Sequence, residues 1–185
     1  MNKEIVIGRR RVGEDSPVFI IAEMSANHNM DFDRAAAILR AARDAGADAV
    51  KIQTYTADTI TLDCDDPCFQ ITQGTLWDGM TLHRLYETAY TPWEWQGKLR
   101  DEALNMGLEF FSSPFDGSSV DFLEELGMPA YKVASFEITD IPLIRKIAKL
   151  GKPMILATGV SRLSDIDLAV RTCREAGNEN VILLK

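Results

Sequence analysis

Cysteine is scarce in this chain, with only Cys64, Cys68 and Cys173 among 185 residues. An odd number this small excludes a disulfide framework. Cys64 and Cys68 are spaced closely enough to share a metal, but the nearest histidine is His83 and a set of four ligands is not visible, so the cysteines read as structural or incidental. Positive charge is also in deficit, 20 Lys and Arg against 28 Asp and Glu, for a net charge of −8. Such a surface argues against nucleic-acid and anionic-membrane partners, though it leaves room for a local cationic pocket. No apolar run approaches the ~18 residues of a membrane span. The N-terminal stretch, with Arg9, Arg10 and Arg11, lacks a secretory apolar core, so a cytoplasmic protein is expected. Missing too is any Gly-x-Gly-x-x-Gly phosphate loop.

What is present is ample apolar material, 46% of the residues, enough for one sizeable core. Residues 18–29 organise the rest. Val18, Phe19, Ile20, Ile21 and Ala22 form an apolar, β-branched run that reads as a strand buried on both faces. It gives way to Glu23, Ser25, Asn27 and His28. Asp31 can then cap a helix that lays Phe32, Ala35, Ala36, Leu39 and Ala42 on one face and ends at Gly46.

That unit of strand, polar turn and helix recurs. Strands are predicted at 49–55, 108–113, 130–135, 153–159 and from 181 onward. Residues 56–90 interrupt the rhythm as a long excursion with one short helix near 81–89. Thr91, Pro92 and Glu94 predict a helix start in which Thr91 caps. Asp116 or Ser118, Asp140 and Ser164 are the expected caps of the later helices, and Gly107, Gly127, Gly151 and Gly177 the expected stops. Residues 3–7 and 18–22, flanking glycines Gly8 and Gly13, predict a short N-terminal cap or hairpin over 1–15. Six strands alternating with five helices imply a parallel sheet with right-handed crossovers. An open doubly wound sheet would usually carry the glycine-rich loop that is missing here. Polar residues at every strand end favour a (β/α)8 TIM-type barrel, incomplete at this length because a closed barrel takes ~250 residues.

Chemistry concentrates at the strand ends. Lys51 and Lys132 each interrupt an apolar strand, and buried lysines must be paired or functional. Two of them facing one lumen would be reconciled by a dianion. Otherwise they form structural ion pairs with Glu23, Glu137 or Asp116. Ser112, Ser113, Ser135 and Thr158 could add hydroxyl donors, or simply cap and finish strands. Glu23 ends the first strand as a base, a substrate ligand or a lysine's partner. Gln53 and Tyr55 extend the face of Lys51, and Glu137 follows Ser135 by two. Asn27 and His28 read as turn residues, and Trp93 and Trp95 as helix packing.

Together these stretches resemble the sialic-acid synthase family, whose members condense phosphoenolpyruvate with an amino sugar. The motifs are residues 20–23 with Asn27 and His28; Lys51, Gln53 and Thr54; residues 112–115; Tyr131, Lys132 and Ser135; and Thr158 with Gly159. Residues 23–29, 53–63, 74–79 and 91–95 fit one branch of the family, whereas other branches usually show a Glu-x-Gly type of sequence after the first strand. The resemblance implies that Lys51, Ser113, Lys132, Ser135 and Thr158 hold phosphoenolpyruvate, that Glu23 is catalytic, and that Asn27, Gln53, Tyr55 and Glu137 face the sugar. It implies a divalent metal, Mn2+ or Mg2+, that polarises the sugar aldehyde. Its expected ligands lie beyond Lys185; neither His28 nor His83 matches a ligand position. It also implies a homodimer and a C-terminal antifreeze-like domain, leaving 16–185 as part of the synthase barrel. Ala157 departs from the serine common in the family. Two alternatives stand beside this reading: a non-catalytic fragment of such a synthase, and a Schiff-base aldolase using Lys132.

Overall fold

The computed structural model describes residues 4–185. Its main sheet contains six parallel strands in sequence order: β3 (Ile21–Glu23), β4 (Ala49–Thr54), β5 (Glu109–Pro114), β6 (Tyr131–Val133), β7 (Met154–Ala157) and β8 (Val181–Leu184). Five principal helices make the crossovers: α1 (Phe32–Asp44), α4 (Trp93–Asn105), α5 (Gly117–Glu125), α6 (Ile141–Ala148) and α7 (Leu163–Glu175). The short helices α2 (Ala57–Ile60) and α3 (Leu82–Thr88) lie within the excursion that follows β4. The sheet is curled in the (β/α)8 TIM-barrel manner, and all its strand C-termini open at one end, where such barrels build their sites.

Pleating divides the sheet into an outer and an inner face. Val50, Ile52, Phe110, Tyr131, Val133, Met154 and Leu156 point outward into the main core against the helices. On α1, Ala35, Leu39 and Ala42 fill that core, and the apolar stripe of α6 does so through Leu143, Ile144 and Ile147. Asp31, Asp116 and Asp140 cap their helices through the backbone N–H groups of Arg34, of Ser118 and Ser119, and of Leu143. The inner face carries a second, smaller core of Ala49, Phe111 and Ile155, closed from below by Ile5 and Ile7.

Those two isoleucines belong to an antiparallel hairpin, β1 (Glu4–Ile7) with β2 (Arg10–Gly13). The segment expected to be a turn therefore supplies the return strand itself; residues 1–3 of the expected cap lie outside the described residues. Gly8 turns the hairpin at φ +58°, and a Cβ there would lie 1.9 Å from Glu109 Oε2. The left-handed turn favours glycine, and any larger residue would also have to displace the Glu109 carboxylate. Glu109, buried in the lumen floor, accepts from Arg9 Nε at 2.9 Å and from its backbone N at 3.1 Å. Arg10 pairs with Asp48 and Arg11 with Glu4, so this triplet is tied up in ion pairs.

Several local expectations fail for tertiary reasons. Residues 18–20 are not strand: Val18 is 82% and Ile20 52% exposed, because this segment runs along an open sheet edge. Thr91 does not cap α4; Pro92 occupies the cap position, and the Thr91 hydroxyl is buried against His28. Ser164 lies inside α7, whose start is closed instead by Asp165 accepting from Arg162 N at 2.9 Å. Among the described residues, no helix is long and apolar enough to cross a membrane.

Candidate active site

Lys51 and Lys132 project from the inner faces of β4 and β6 into one cavity of about 300 Å3, lined also by Phe19, Ile21, Glu23, Phe111, Ile155 and Leu184. Lys51 is buried. Its Nζ pairs with a Glu23 carboxylate oxygen and donates to Ser113 Oγ at 3.3 Å. Parallel register puts Glu23 beside Lys51 and Gln53 beside Ser113, so this half of the site is set by strand pairing. Lys132 makes no such close pair among the described residues. Burial lowers its pKa, and the neighbouring Lys51 lowers it further; Glu23 and Glu137 oppose this but do not win. The lumen therefore holds one compensated cation and one that is not.

Glu137 lies in the 3-10 turn Phe136–Thr139 that follows β6. Its Oε2 is buried without a hydrogen-bond partner among the described residues. Burial pushes its carboxyl pKa up, outweighing the pull of Lys132. Its charge acts on both Lys132 and Tyr86.

A second cavity, about 550 Å3, is lined by Ser25, Asn27, Gln53, Tyr55, Trp77 and Tyr86 among others. Gln53 Oε1 accepts from Ser25 Oγ at 3.1 Å, and Ser25 N donates to Glu23 Oε1 at 3.1 Å. Asn27, also on this wall, donates through Nδ2 to Met24 O at 2.9 Å. Tyr55 is buried, and its hydroxyl donates to Ala89 O. Burial pushes that hydroxyl's pKa up to about 12, so Tyr55 contributes a ring wall rather than an acid. Trp77 is held on a loop whose turn Asp78 closes, through Gly74 N at 2.9 Å and Thr75 N at 2.8 Å.

Ser135 and Thr158 lie at the ends of β6 and β7. A Cβ on Gly159 would lie 3.1 Å from Ser135 Oγ, so glycine there makes room for that hydroxyl. Thr158 donates through both N and Oγ1 to Leu184 O, at 3.0 and 3.2 Å. Its hydroxyl thus helps to join β7 to β8.

Ser112 leaves the site altogether. One pleat from Ser113, it points outward and meets Thr54 Oγ1 at 2.6 Å; Thr54 contacts Gln96, which donates to Thr91 O. His28 joins this buried network through Thr91 Oγ1 at 3.2 Å and accepts from Met30 N on Nδ1. Burial lowers the His28 pKa, in keeping with a neutral ring that braces the turn. Trp95 packs edge-on against His28, and Trp93 stacks on Phe122 at 4.6 Å, so both tryptophans serve helix packing. The network went unnoticed in the sequence, although the alternation that separates Lys51 from Ile52 also separates Ser113 from Ser112.

Among the described residues, no three His, Cys, Asp or Glu side chains are grouped to hold a metal ion. The donor set present here does not fit the metal that the resemblance implies.

The chain is 45% identical over 169 residues to the pseudaminic acid synthase of Helicobacter pylori, an alignment covering 91% of this chain and 49% of that protein. It is 44% identical to the pseudaminic acid synthase of Campylobacter jejuni serotype O:2 over 171 residues, 92% of this chain and 50% of that one. The chain thus spans about half the length of these curated relatives. In structure it resembles the N-acetylneuraminic acid synthetase of Leptospira borgpetersenii, with a TM-score of 0.84 and 28% identity over 97% of this chain and 57% of that one. A truncated 3-deoxy-D-arabino-heptulosonate 7-phosphate synthase from Thermotoga maritima shares the fold alone, at TM-score 0.69 and 13% identity over 97% of this chain and 55% of that one. Residues 38–185 match the NeuB family, to which this chain belongs.

Proposed function

We propose that the chain is the catalytic-barrel portion of a pseudaminic acid synthase, which joins phosphoenolpyruvate to 2,4-diacetamido-2,4,6-trideoxy-altrose and releases phosphate. The observation that carries the reading is the pair of lysines converging on one cavity, one of them lacking a close counter-charge, beside a larger amide- and ring-lined cavity. A small phosphorylated dianion answers the first. A sugar bearing acetamido groups answers the second, where Gln53 and Asn27 offer amide partners and Tyr55, Tyr86 and Trp77 offer apolar walls.

In this reading Lys51, Lys132, Ser113 and Ser135 hold the phosphate and carboxylate of phosphoenolpyruvate. The enol carbon then forms a bond to the open-chain aldehyde carbon, whose oxygen takes a proton. Water adds at the adjacent cationic carbon, and phosphate leaves with cleavage of the C–O bond. Glu137, which burial holds toward its protonated form, suits proton delivery to the aldehyde oxygen. Glu23 acts on the sugar or on proton transfer, since a carboxylate would repel phosphate. Thr158 can add a hydroxyl donor by leaving its bond to Leu184 O. The complete protein is expected to be a homodimer and to use Mn2+ or Mg2+, with the metal's ligands supplied from outside the described residues.

The test is to incubate the complete protein with phosphoenolpyruvate and each of three amino sugars: the altrose derivative, the legionaminic acid precursor and N-acetylmannosamine. Phosphate release with the altrose derivative, and formation of the nine-carbon keto acid, are expected. Preference for another sugar would move the chain to a different branch of the family. Glu23→Gln should lower kcat while leaving phosphoenolpyruvate binding nearly intact; wild-type turnover across pH would remove Glu23 from the mechanism.

A further inference from the structure

The turn after β3 is unusual in its backbone. Ser25, Asn29 and Met30 all adopt the left-handed region, Ser25 at φ +49°. Asparagine tolerates that region, but serine pays a steric cost there that glycine would escape. Ser25 uses this conformation for two contacts in opposite directions. Its backbone N–H reaches Glu23 Oε1 at 3.1 Å, on the wall of the lysine cavity. Its hydroxyl reaches Gln53 Oε1 at 3.1 Å, on the wall of the larger cavity.

We infer that Ser25 is a positioning residue that sets the recognition of the sugar through Gln53. Gln53 lines the larger cavity with Oε1 engaged by Ser25, and among the described residues no protein acceptor meets its Nε2 hydrogens. The amide therefore offers donors only and favours a substrate oxygen, either a hydroxyl or an acetamido carbonyl, over a donor group. The Ser25 N–H meanwhile occupies one oxygen of Glu23 and leaves the other to Lys51. Without the hydroxyl, the amide is free to rotate and present either edge.

This inference rests on the reading of the larger cavity as the amino-sugar subsite. The complete protein is assayed as wild type, Ser25→Gly, Gln53→Ala and the double variant, with KM and kcat for both substrates and a thermal midpoint. Ser25→Gly relieves the left-handed strain, so its thermal midpoint should equal or exceed that of wild type. Its KM for the amino sugar should rise about tenfold, the scale of one neutral hydrogen bond. KM for phosphoenolpyruvate should stay constant. In the Gln53→Ala background, Ser25→Gly should add nothing, since it acts through that amide. An unchanged amino-sugar KM in Ser25→Gly, or an effect that simply adds to that of Gln53→Ala, overturns the assignment. If the wild type turns over no amino sugar at all, the functional reading fails and this inference falls with it; if only the variants misbehave, the inference alone falls.

Discussion

Replacing Lys132 with methionine should move stability and ligand binding in opposite directions. Lys132 is half-buried in the lumen, and burial together with Lys51 lowers its pKa despite Glu23 and Glu137 nearby. In the free protein the charge is therefore a net liability. Methionine keeps the stem's volume and removes the cation, so the free protein should gain about 0.5–2 kcal/mol, the range common for relieving an unfavourable group. At this chain length that is a rise of roughly 1–8 °C in Tm. The gain has a pH signature. Between the lowered native pKa and the ordinary lysine value, the unfolded chain binds more protons, so wild-type stability climbs with pH across that window. The variant should lose the climb. Binding should move the other way. A phosphorylated dianion pairs with both lysines, and deleting one partner of a desolvated charge pair costs about 2–5 kcal/mol. Lys51→Met offers the contrast: it strands Glu23, but that carboxylate is 44% exposed and screened, so Tm should move little while affinity still drops. Calorimetric titration of phosphoenolpyruvate and thermal melts on the same samples supply both readings. A Lys132→Met protein that melts lower and binds phosphoenolpyruvate unchanged would refute the reasoning.

Three further outcomes are expected. Asp116→Ala removes the cap that receives Ser118 N at 2.7 Å and Ser119 N at 3.0 Å, and should cost about 1–2 kcal/mol in denaturant melts. Burial raises the Asp116 pKa, but hydrogen bonds from Ser118 and Ser119 hold it below normal on balance, so this contribution is present above the ordinary aspartate pKa and disappears as pH falls through the lowered one. Wild type and variant should therefore converge in acid, and a gap that persists below that pKa would count against the cap. Gly8→Ala puts a methyl group into Glu109 at a left-handed position; a loss of about 1–3 kcal/mol is expected, and a neutral substitution would mean the hairpin does not press on the lumen floor as described. Expressed as residues 1–185 alone, the chain should self-associate and bind ANS, because β3 and β8 are the two sheet edges and Ile20, Leu183 and Leu184 are about half exposed there; a monodisperse monomer with sharp near-UV dichroism would contradict this.

Much of the architecture was legible because its signals are local. The period-two alternation of Lys51 and Gln53 against Ile52 and Thr54 survives intact in β4, and Asp31, Asp116 and Asp140 cap as expected because an aspartate needs only the next two or three N–H groups. Failures cluster where a distant partner outbids the local one. Thr91 has every local reason to cap, yet its hydroxyl meets His28, 63 residues earlier in the chain, inside a network closed by Gln96. The apolar run at 18–20 reads as doubly buried, but burial depends on what lies beyond the sheet edge, which no local pattern encodes.

The same distinction separates the two halves of the site. Lys51 with Ser113 follows from strand register, since parallel pairing of β4 with β5 sets Gln53 opposite Ser113 and leaves Lys51 one step behind on the same face. The link between the cavities does not follow from register. It depends on Ser25 taking a backbone conformation that its residue type disfavours, so that one residue can touch Glu23 with its backbone and Gln53 with its side chain. Strain held in place by contacts to two candidate substrate-facing groups is better explained by positioning than by folding, because glycine would make the same turn more easily. The lysine cavity is thus built by sheet geometry, whereas the orientation of the amide beside it is set by a left-handed residue of the turn, Ser25, that works against local preference.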